Sequence, residues 1–166
     1  MLLCMATGYW VEVLGTKTGW LFGKYEYGEN LGPLVAGVPV IIAVNWFMII
    51  YCCGITIQQM LNKIKDQISK ETGSPRKPVK FASLLIDGAL LAVLFDWLME
   101  PVAINLDYWN WEGGDEVPFF NYISWFLVSS ALMAVFHYLS FYKQNRFAVN
   151  LLLIQMMFFL LLRTFL

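Results

Sequence analysis

The 166-residue chain is 59% hydrophobic and 14% charged, whereas roughly 25% of the residues of a soluble domain are charged, and this composition argues against a water-soluble domain. Its net charge of −1 offers no basic excess for nucleic acid, so the expected partners are apolar. With one histidine, His137, and three cysteines without CxxC spacing, the sequence favours neither a metal site nor a disulfide or redox motif. We therefore expect no metal and no cofactor.

The first apolar segment, residues 1–14, contains a single acid, Glu12, and would reach only about 21 Å as a helix. It lacks the basic region and cleavage site of a signal peptide, so we interpret it as a spanning helix without its beginning. Residues 34–57 carry no charge and would reach about 36 Å, enough to cross a hydrocarbon core of about 30 Å. Three further segments of adequate length follow, at residues 81–104, 120–142 and 147–166. The predicted fold is all-α, a single polytopic membrane helix bundle over residues 1–166 with four full transmembrane helices and a truncated first helix.

The distribution of charge in the loops predicts the orientation, because short loops rich in Lys and Arg stay cytoplasmic. The 59–80 loop holds six basic residues and two acids, and the turn from Lys143 to Arg146 adds two more basic residues. The opposite loops, 15–33 and 105–119, carry two basic residues and six acids. We therefore expect an integral protein of the bacterial cytoplasmic membrane, with the 59–80 loop inside the cell.

Three acids lie inside predicted helices, where an ionisable side chain costs about 2.5 to 3.5 kcal/mol and normally faces the bundle interior. Asp96 and Glu100 are four residues apart, which leaves them about 40° apart on one helical face. Glu12 falls at a similar depth in the outer leaflet. Pro101 should free the carbonyl of Trp97 and bend the helix next to these acids. We predict Asp96, Glu100 and Glu12 as the catalytic residues.

Arg163, near the outward end of the last segment, is the cation expected to balance an acid at this depth. Its pairing with one carboxylate as a plain structural ion pair is the alternative interpretation. Three acids against one cation still leave an excess, and excess buried carboxyl groups tend to stay protonated. A neutral carboxylic acid is what acid catalysis on an apolar substrate requires. Asp87, about 180° round the helix from Asp96, should instead cap or pair locally, and His137 should make a helix-end hydrogen bond far from the acids.

The many aromatic rings are expected mainly in the core and in the interfacial belts. Some should nevertheless face the acids. Protonation of an apolar substrate by an acid gives a carbocation, and the face of an aromatic ring stabilises a cation by roughly 0.5 to 2 kcal/mol. The polar side chains of Asn45, Ser129 and Ser130 could line the same space. The predicted substrate-binding residues are Trp46, Asn45, Trp97, Trp109, Trp111, Tyr25 and Tyr27.

Two stretches, 12–51 and 96–125, carry the ordered motifs TGxxFGxYxY, LGPxxxGVP, NWF and EPVA. In this combination, over nearly its whole length, the chain resembles the bacterial and archaeal membrane carotenoid biosynthesis proteins. The best understood members are carotenoid hydratases, which add water across the terminal double bond of an acyclic ψ-end without cofactor or redox change. Members usually carry additional hydrophobic sequence before the region of Glu12.

The resemblance and the buried acids together predict one mechanism. Asp96 or Glu100 protonates the less substituted alkene carbon, and the cation forms at the tertiary carbon. Glu12, or whichever acid is ionised, orients or deprotonates the water that captures the cation, while Trp46, Trp97 or Trp109 faces the charge. The expected partners are a carotenoid and the lipid bilayer, with other carotenoid enzymes or a second copy of the chain as further candidates.

Three alternatives remain at this point. The sequence DWLME has the D-x-x-x-D/E form of membrane prenyltransferases, although a second Asp-rich motif is not visible. A carotenoid cyclase begins with the same protonation and differs in what captures the cation. A non-catalytic transporter or scaffold would use the acids as a proton relay.

Overall fold

A computed structural model describes residues 1–68, 77–114 and 116–166. Within them the chain forms five helices: α1 (Leu2–Thr18), α2 (Ile41–Ile68), α3 (Lys77–Asn105), α4 (Phe119–Tyr138) and α5 (Arg146–Phe165). Of these, α2, α3, α4 and α5 are long and apolar enough to cross a membrane. The predicted class, an all-α polytopic membrane helix bundle, is confirmed.

The predicted 34–57 span begins too early. Leu34–Val35 (β2) and Val38–Pro39 (β3) form a small antiparallel hairpin. Its two turn residues, Ala36 and Gly37, both have positive φ, at 53° and 87°, which suits the tight turn of a two-residue hairpin. Hydropathy does not distinguish such an apolar hairpin from a helix, and α2 starts only at Ile41.

Other helix ends also differ from the prediction. Helix α1 extends beyond residue 14 to Thr18, where Gly19 caps it in the left-handed conformation, with φ 68°. Helix α4 ends at Tyr138 rather than at residue 142.

A second small sheet joins the two loops that were predicted to face outward. Strands β1 (Tyr25–Tyr27) and β4 (Trp109–Trp111) pair antiparallel, with Tyr25 opposite Trp111 and Tyr27 opposite Trp109. Because side chains alternate along a strand, the aromatic side chains share the inner face while Glu26 and Asn110 are exposed on the outer face. We call residues 25–27 and 109–111 the aromatic ribbon. The sequence analysis did not predict it, since three-residue strands leave little periodicity.

Helix packing places α1, α2 and α4 around one space. Helix α2 packs against α1, α3 and α5, and α3 packs against α4. At Gly8 the contact between α1 and α2 is so close that an added Cβ would lie 2.4 Å from the Cβ of Trp46. The Trp46 ring in turn stacks on Trp125 of α4, with ring centroids 4.1 Å apart and planes at 9°. These contacts hold the parts of α1, α2 and α4 nearest the aromatic ribbon around one space.

Part of the predicted cytoplasmic loop, residues 69–76, lies outside the described residues, as does Asp115. The orientation of the chain therefore stays a prediction. Two local expectations can be compared with the structure. Asp87 accepts a hydrogen bond from Ser83 Oγ, which confirms its local pairing. The ring of His137, in the last turn of α4, packs edge-on against Phe81 at 4.8 Å, while its backbone carbonyl accepts a hydrogen bond from Lys143 Nζ at 2.8 Å.

Candidate active site

Helices α1 to α4 and the aromatic ribbon surround a narrow cavity with an accessible volume of about 40 Å³. All three predicted catalytic acids line this cavity, together with six of the seven predicted substrate-binding residues. The complete lining is Glu12, Phe22, Tyr25, Tyr27, Ile42, Asn45, Trp46, Ile49, Asp96, Met99, Glu100, Trp109, Trp111, Asn121 and Trp125. Acids from α1 and α3, far apart in sequence, therefore meet in one space.

Glu12 is 5% exposed, and neutral donors hold both of its carboxylate oxygens. The hydroxyl groups of Tyr25 and Tyr27 donate to Oε2, the latter at 2.8 Å, and Trp46 Nε1 donates to Oε1 at 2.8 Å. The two tyrosines reach the same oxygen because they are two residues apart on one face of β1. Hydrogen bonds donated to a carboxylate stabilise its charged form.

Both tyrosines retain their protons and remain donors. Burial, and next the negative charge of Glu12, raise the pKa of Tyr25 and the pKa of Tyr27 well above the ordinary value of 10.0. A phenol that keeps its proton at all physiological pH values continues to donate a hydrogen bond to Glu12 and adds no negative charge beside it.

The other two acids of the cavity, Asp96 and Glu100, lie on α3. Glu100, 2% exposed, accepts hydrogen bonds on Oε2 from Trp109 Nε1 at 3.0 Å and from Trp111 Nε1 at 3.1 Å. Asp96, 1% exposed, accepts one from Asn121 Nδ2 at 2.9 Å, and the same nitrogen lies 3.4 Å from Glu100 Oε1. The i, i+4 spacing thus brings Asp96 and Glu100 to one shared amide, as the helical periodicity predicted.

Arg163 forms no ion pair with any of the three acids that it was predicted to balance. Arg163 Nη1 donates to the backbone carbonyl of Trp97 at 2.8 Å, and its guanidinium lies 3.8 Å from the centroid of the Trp97 ring. The reason is local: Pro101 has no N–H, so the Trp97 carbonyl lacks its helical partner, and α3 nevertheless continues to Asn105. Among the described residues, the lining of the cavity includes no Lys, Arg or His.

Trp97 itself is the one predicted substrate-binding residue outside the cavity. It is 43% exposed and lies on the outside of the bundle. The expected polar lining is also only partly present: Asn45 lines the cavity, while Ser129 and Ser130 do not.

The sequence analysis missed Asn121, Trp125 and Phe22 as site residues. Asn121 and Trp125 are one turn apart on α4, and both side chains are buried. A lone amide at the start of an apolar helix is the signal that could have identified Asn121, since polar groups in spanning helices face the interior. Phe22 belongs to the TGxxFGxYxY motif. Its position in that motif, close to the two tyrosines, is the signal that could have identified it.

The fold and the cavity together define an integral membrane protein with a buried site of acidic and aromatic side chains. The family model described as carotenoid biosynthesis protein matches residues 1–166, and the chain belongs to this family.

Among curated proteins, the chain is similar to the bisanhydrobacterioruberin hydratase of Haloarcula japonica, with 25% identity over 133 residues. The match covers 78% of this chain and 41% of that protein, so the chain spans less than half the length of the relative. No solved structure matches the chain.

Proposed function

We propose that the chain is a carotenoid hydratase, which adds water to the terminal double bond of an acyclic carotenoid end by acid catalysis. The observation that carries this proposal is the meeting of three buried carboxyl groups in one aromatic cavity with unequal sets of hydrogen-bond donors. The family and the name of the similar hydratase support the same chemistry.

Asp96 is the proton donor in this proposal. It accepts one hydrogen bond, from Asn121, whereas Glu12 accepts three and Glu100 accepts two from indoles and a longer one from Asn121. Donors stabilise the ionised form, and three buried negative charges without a cation would repel one another. The carboxyl group with the fewest donors is therefore the one that holds the proton.

The proposed reaction then balances without an oxidant or a reductant. The Asp96 proton forms a C–H bond at the less substituted carbon, and the positive charge develops at the tertiary carbon. Water forms the C–O bond there, and Glu12 accepts the proton that this water loses. Transfer of that proton from Glu12 to Asp96 through cavity water restores the starting state.

The surroundings of the cation suit this step. The stacked rings of Trp46 and Trp125 and the rings of the aromatic ribbon face the cavity, and aromatic faces attract a cation by roughly 0.5 to 2 kcal/mol each. The carboxylates of Glu12 and Glu100 add direct attraction in a water-poor cavity.

Expression of the chain in a host that makes an acyclic carotenoid tests the proposal, with mass spectrometry of the pigments as the readout. A product heavier than the substrate by one water is expected. Asp96→Asn should lower the hydration rate at least about 100-fold, since a positioned general acid contributes about 10² to 10⁴. Asp87→Asn is the matched control, because this exposed acid lies on the same helix and pairs with Ser83. Wild-type hydration by Asp96→Asn, at an equal membrane level, would refute the mechanism.

Pigment analysis also separates the alternative activities. A cyclase would give a product of the same mass as the substrate, a prenyltransferase a heavier isoprenoid, and a transporter a proton flux with unchanged pigment. For the orientation we propose the cytoplasmic membrane, with the basic 59–80 loop inside and the acid cavity near the outer surface, because the outer loops are acidic.

A further inference from the structure

A second, polar crevice lies next to the acid cavity, on the other side of the aromatic ribbon. The end of α1 and the outer side of the ribbon form its walls, and its polar lining includes Thr16, Lys17, Lys24, Glu26, Asn110 and Glu112. Tyr25 and Trp111 line both this crevice and the acid cavity. The crevice and the cavity therefore share two residues.

These two residues form a cross-strand pair. Tyr25 is directly opposite Trp111 in the ribbon, and their ring centroids are 5.0 Å apart with planes at 44°. The hydroxyl of Tyr25 binds Glu12, and the indole N–H of Trp111 binds Glu100. The residue pair that separates the crevice from the cavity thus donates one hydrogen bond to Glu12 and one to Glu100.

We propose that the crevice is the binding site for the water that the reaction consumes, and that water reaches the acids between Tyr25 and Trp111. The inference rests on the proposed function, because hydration uses one water per turnover. Helices α2, α3 and α4 present apolar surface to their surroundings, and a bilayer core holds almost no water. The polar crevice supplies hydrogen-bonding partners for water next to the cavity, while the polyene enters from lipid.

The crevice is built from the two loops whose acidity predicts an outward location. The proposal therefore also specifies the side of the membrane from which water enters, which is the side opposite to the 59–80 loop. A reagent that cannot cross the bilayer distinguishes this route from a route on the inner side.

The first test blocks the crevice. Glu26→Cys places a thiol on the outer face of β1 inside the crevice, and Glu29→Cys is the matched control, an exposed acid in the same loop that does not line the crevice. Each variant is modified in oriented membrane vesicles with a bulky, membrane-impermeant maleimide, and its hydration rate is compared with that of its own unmodified sample. We expect at least a tenfold loss after modification of Glu26→Cys and no change after modification of Glu29→Cys.

The outcomes separate the two proposals. Full modification of Glu26→Cys from the outer side with an unchanged hydration rate overturns the water route while leaving the hydratase intact. A wild-type chain that makes no hydrated carotenoid, when inserted in the membrane, contradicts the proposed function instead.

A second test does not depend on activity. Asn45→Cys places a thiol in the acid cavity, and its rate of reaction with a small water-soluble methanethiosulfonate reports water access. Adding Trp111→Ala should accelerate that reaction at least tenfold, whereas Trp20→Ala, at an 81% exposed tryptophan of the loop that carries Tyr25, should leave it unchanged. Equal labelling rates in both double variants would mean that water does not pass Trp111.

Discussion

Gly8→Ala should slow hydration strongly although it adds a single methyl group at a residue that does not line the acid cavity. The new Cβ would lie 2.4 Å from both Cβ and Cγ of Trp46. Non-bonded carbon atoms pack at about 3.5 to 4.0 Å. Since the Trp46 Cβ is fixed to the backbone of α2, no rotation of the side chain relieves the clash, and α1 and α2 must separate by about 1 Å.

A shift of that size acts on Glu12, one turn along α1. The hydrogen bond from Trp46 Nε1 to Glu12 Oε1 is 2.8 Å long, and a separation of about 1 Å takes it beyond the usual limit of about 3.2 Å. A catalytic group misplaced by about 1 Å can lower the rate about 100-fold. Overpacking should also reduce the free energy of unfolding by about 1 to 3 kcal/mol.

Gly54→Ala is the matched control for this substitution. It is also a helix glycine against an aromatic residue, but its added Cβ would meet the outer ring atoms of Phe136, at 2.9 Å and beyond, and this ring does not line the acid cavity. We expect the control to change stability by less than about 1 kcal/mol, because alanine favours the helix by about 0.5 to 1 kcal/mol. Pigment mass spectrometry and thermal unfolding of detergent-purified protein measure both effects. If Gly8→Ala hydrates at the wild-type rate, the close approach of α1 and α2 does not position Glu12.

Asn121→Leu removes the amide that both α3 carboxyl groups share. It should lower the free energy of unfolding by about 1 to 3 kcal/mol and slow hydration. An unchanged hydration rate would exclude Asn121 as a positioning residue. Burial and the charge of Glu12 raise the pKa of Tyr25, so above pH 10 the unfolded chain ionises this phenol while the folded chain does not. The unfolding free energy should therefore fall above pH 10, by up to about 1.4 kcal/mol per pH unit, and Tyr25→Phe should weaken that fall in pH-dependent unfolding. Arg163→Met leaves the Trp97 carbonyl without its donor and should lower stability by about 1 to 3 kcal/mol, while hydration per folded molecule stays unchanged; a specific loss of rate would return Arg163 to the site.

The acids were predictable from the sequence because a charge in an apolar helix is costly wherever it lies, and because i, i+4 spacing fixes a shared face. The position of Trp97 was open to the same reasoning: it directly follows Asp96, about 100° round the helix, so it faces away from the cavity when Asp96 faces inward. Residues that meet only through tertiary structure were harder to predict from the sequence. The ribbon joins strands more than 80 residues apart, and the pairing of Tyr25 with Trp111 leaves no local trace in either strand.

In the proposed mechanism, the choice of neutral donors explains how one cavity could both protonate an alkene and stabilise the resulting cation. A lysine or arginine beside Glu12 or Glu100 would cancel the negative charge that the carbocation needs. Tyrosine and tryptophan satisfy the carboxylate oxygens by hydrogen bonding while leaving the net charge in place, and their ring faces add attraction for the cation. Asp96, with a single amide donor, lacks this support for its charged form, and in the proposed mechanism it therefore holds the proton that starts the reaction. The aromatic ribbon thereby sets the proposed roles of all three acids: it stabilises two as carboxylates and leaves the third as the acid.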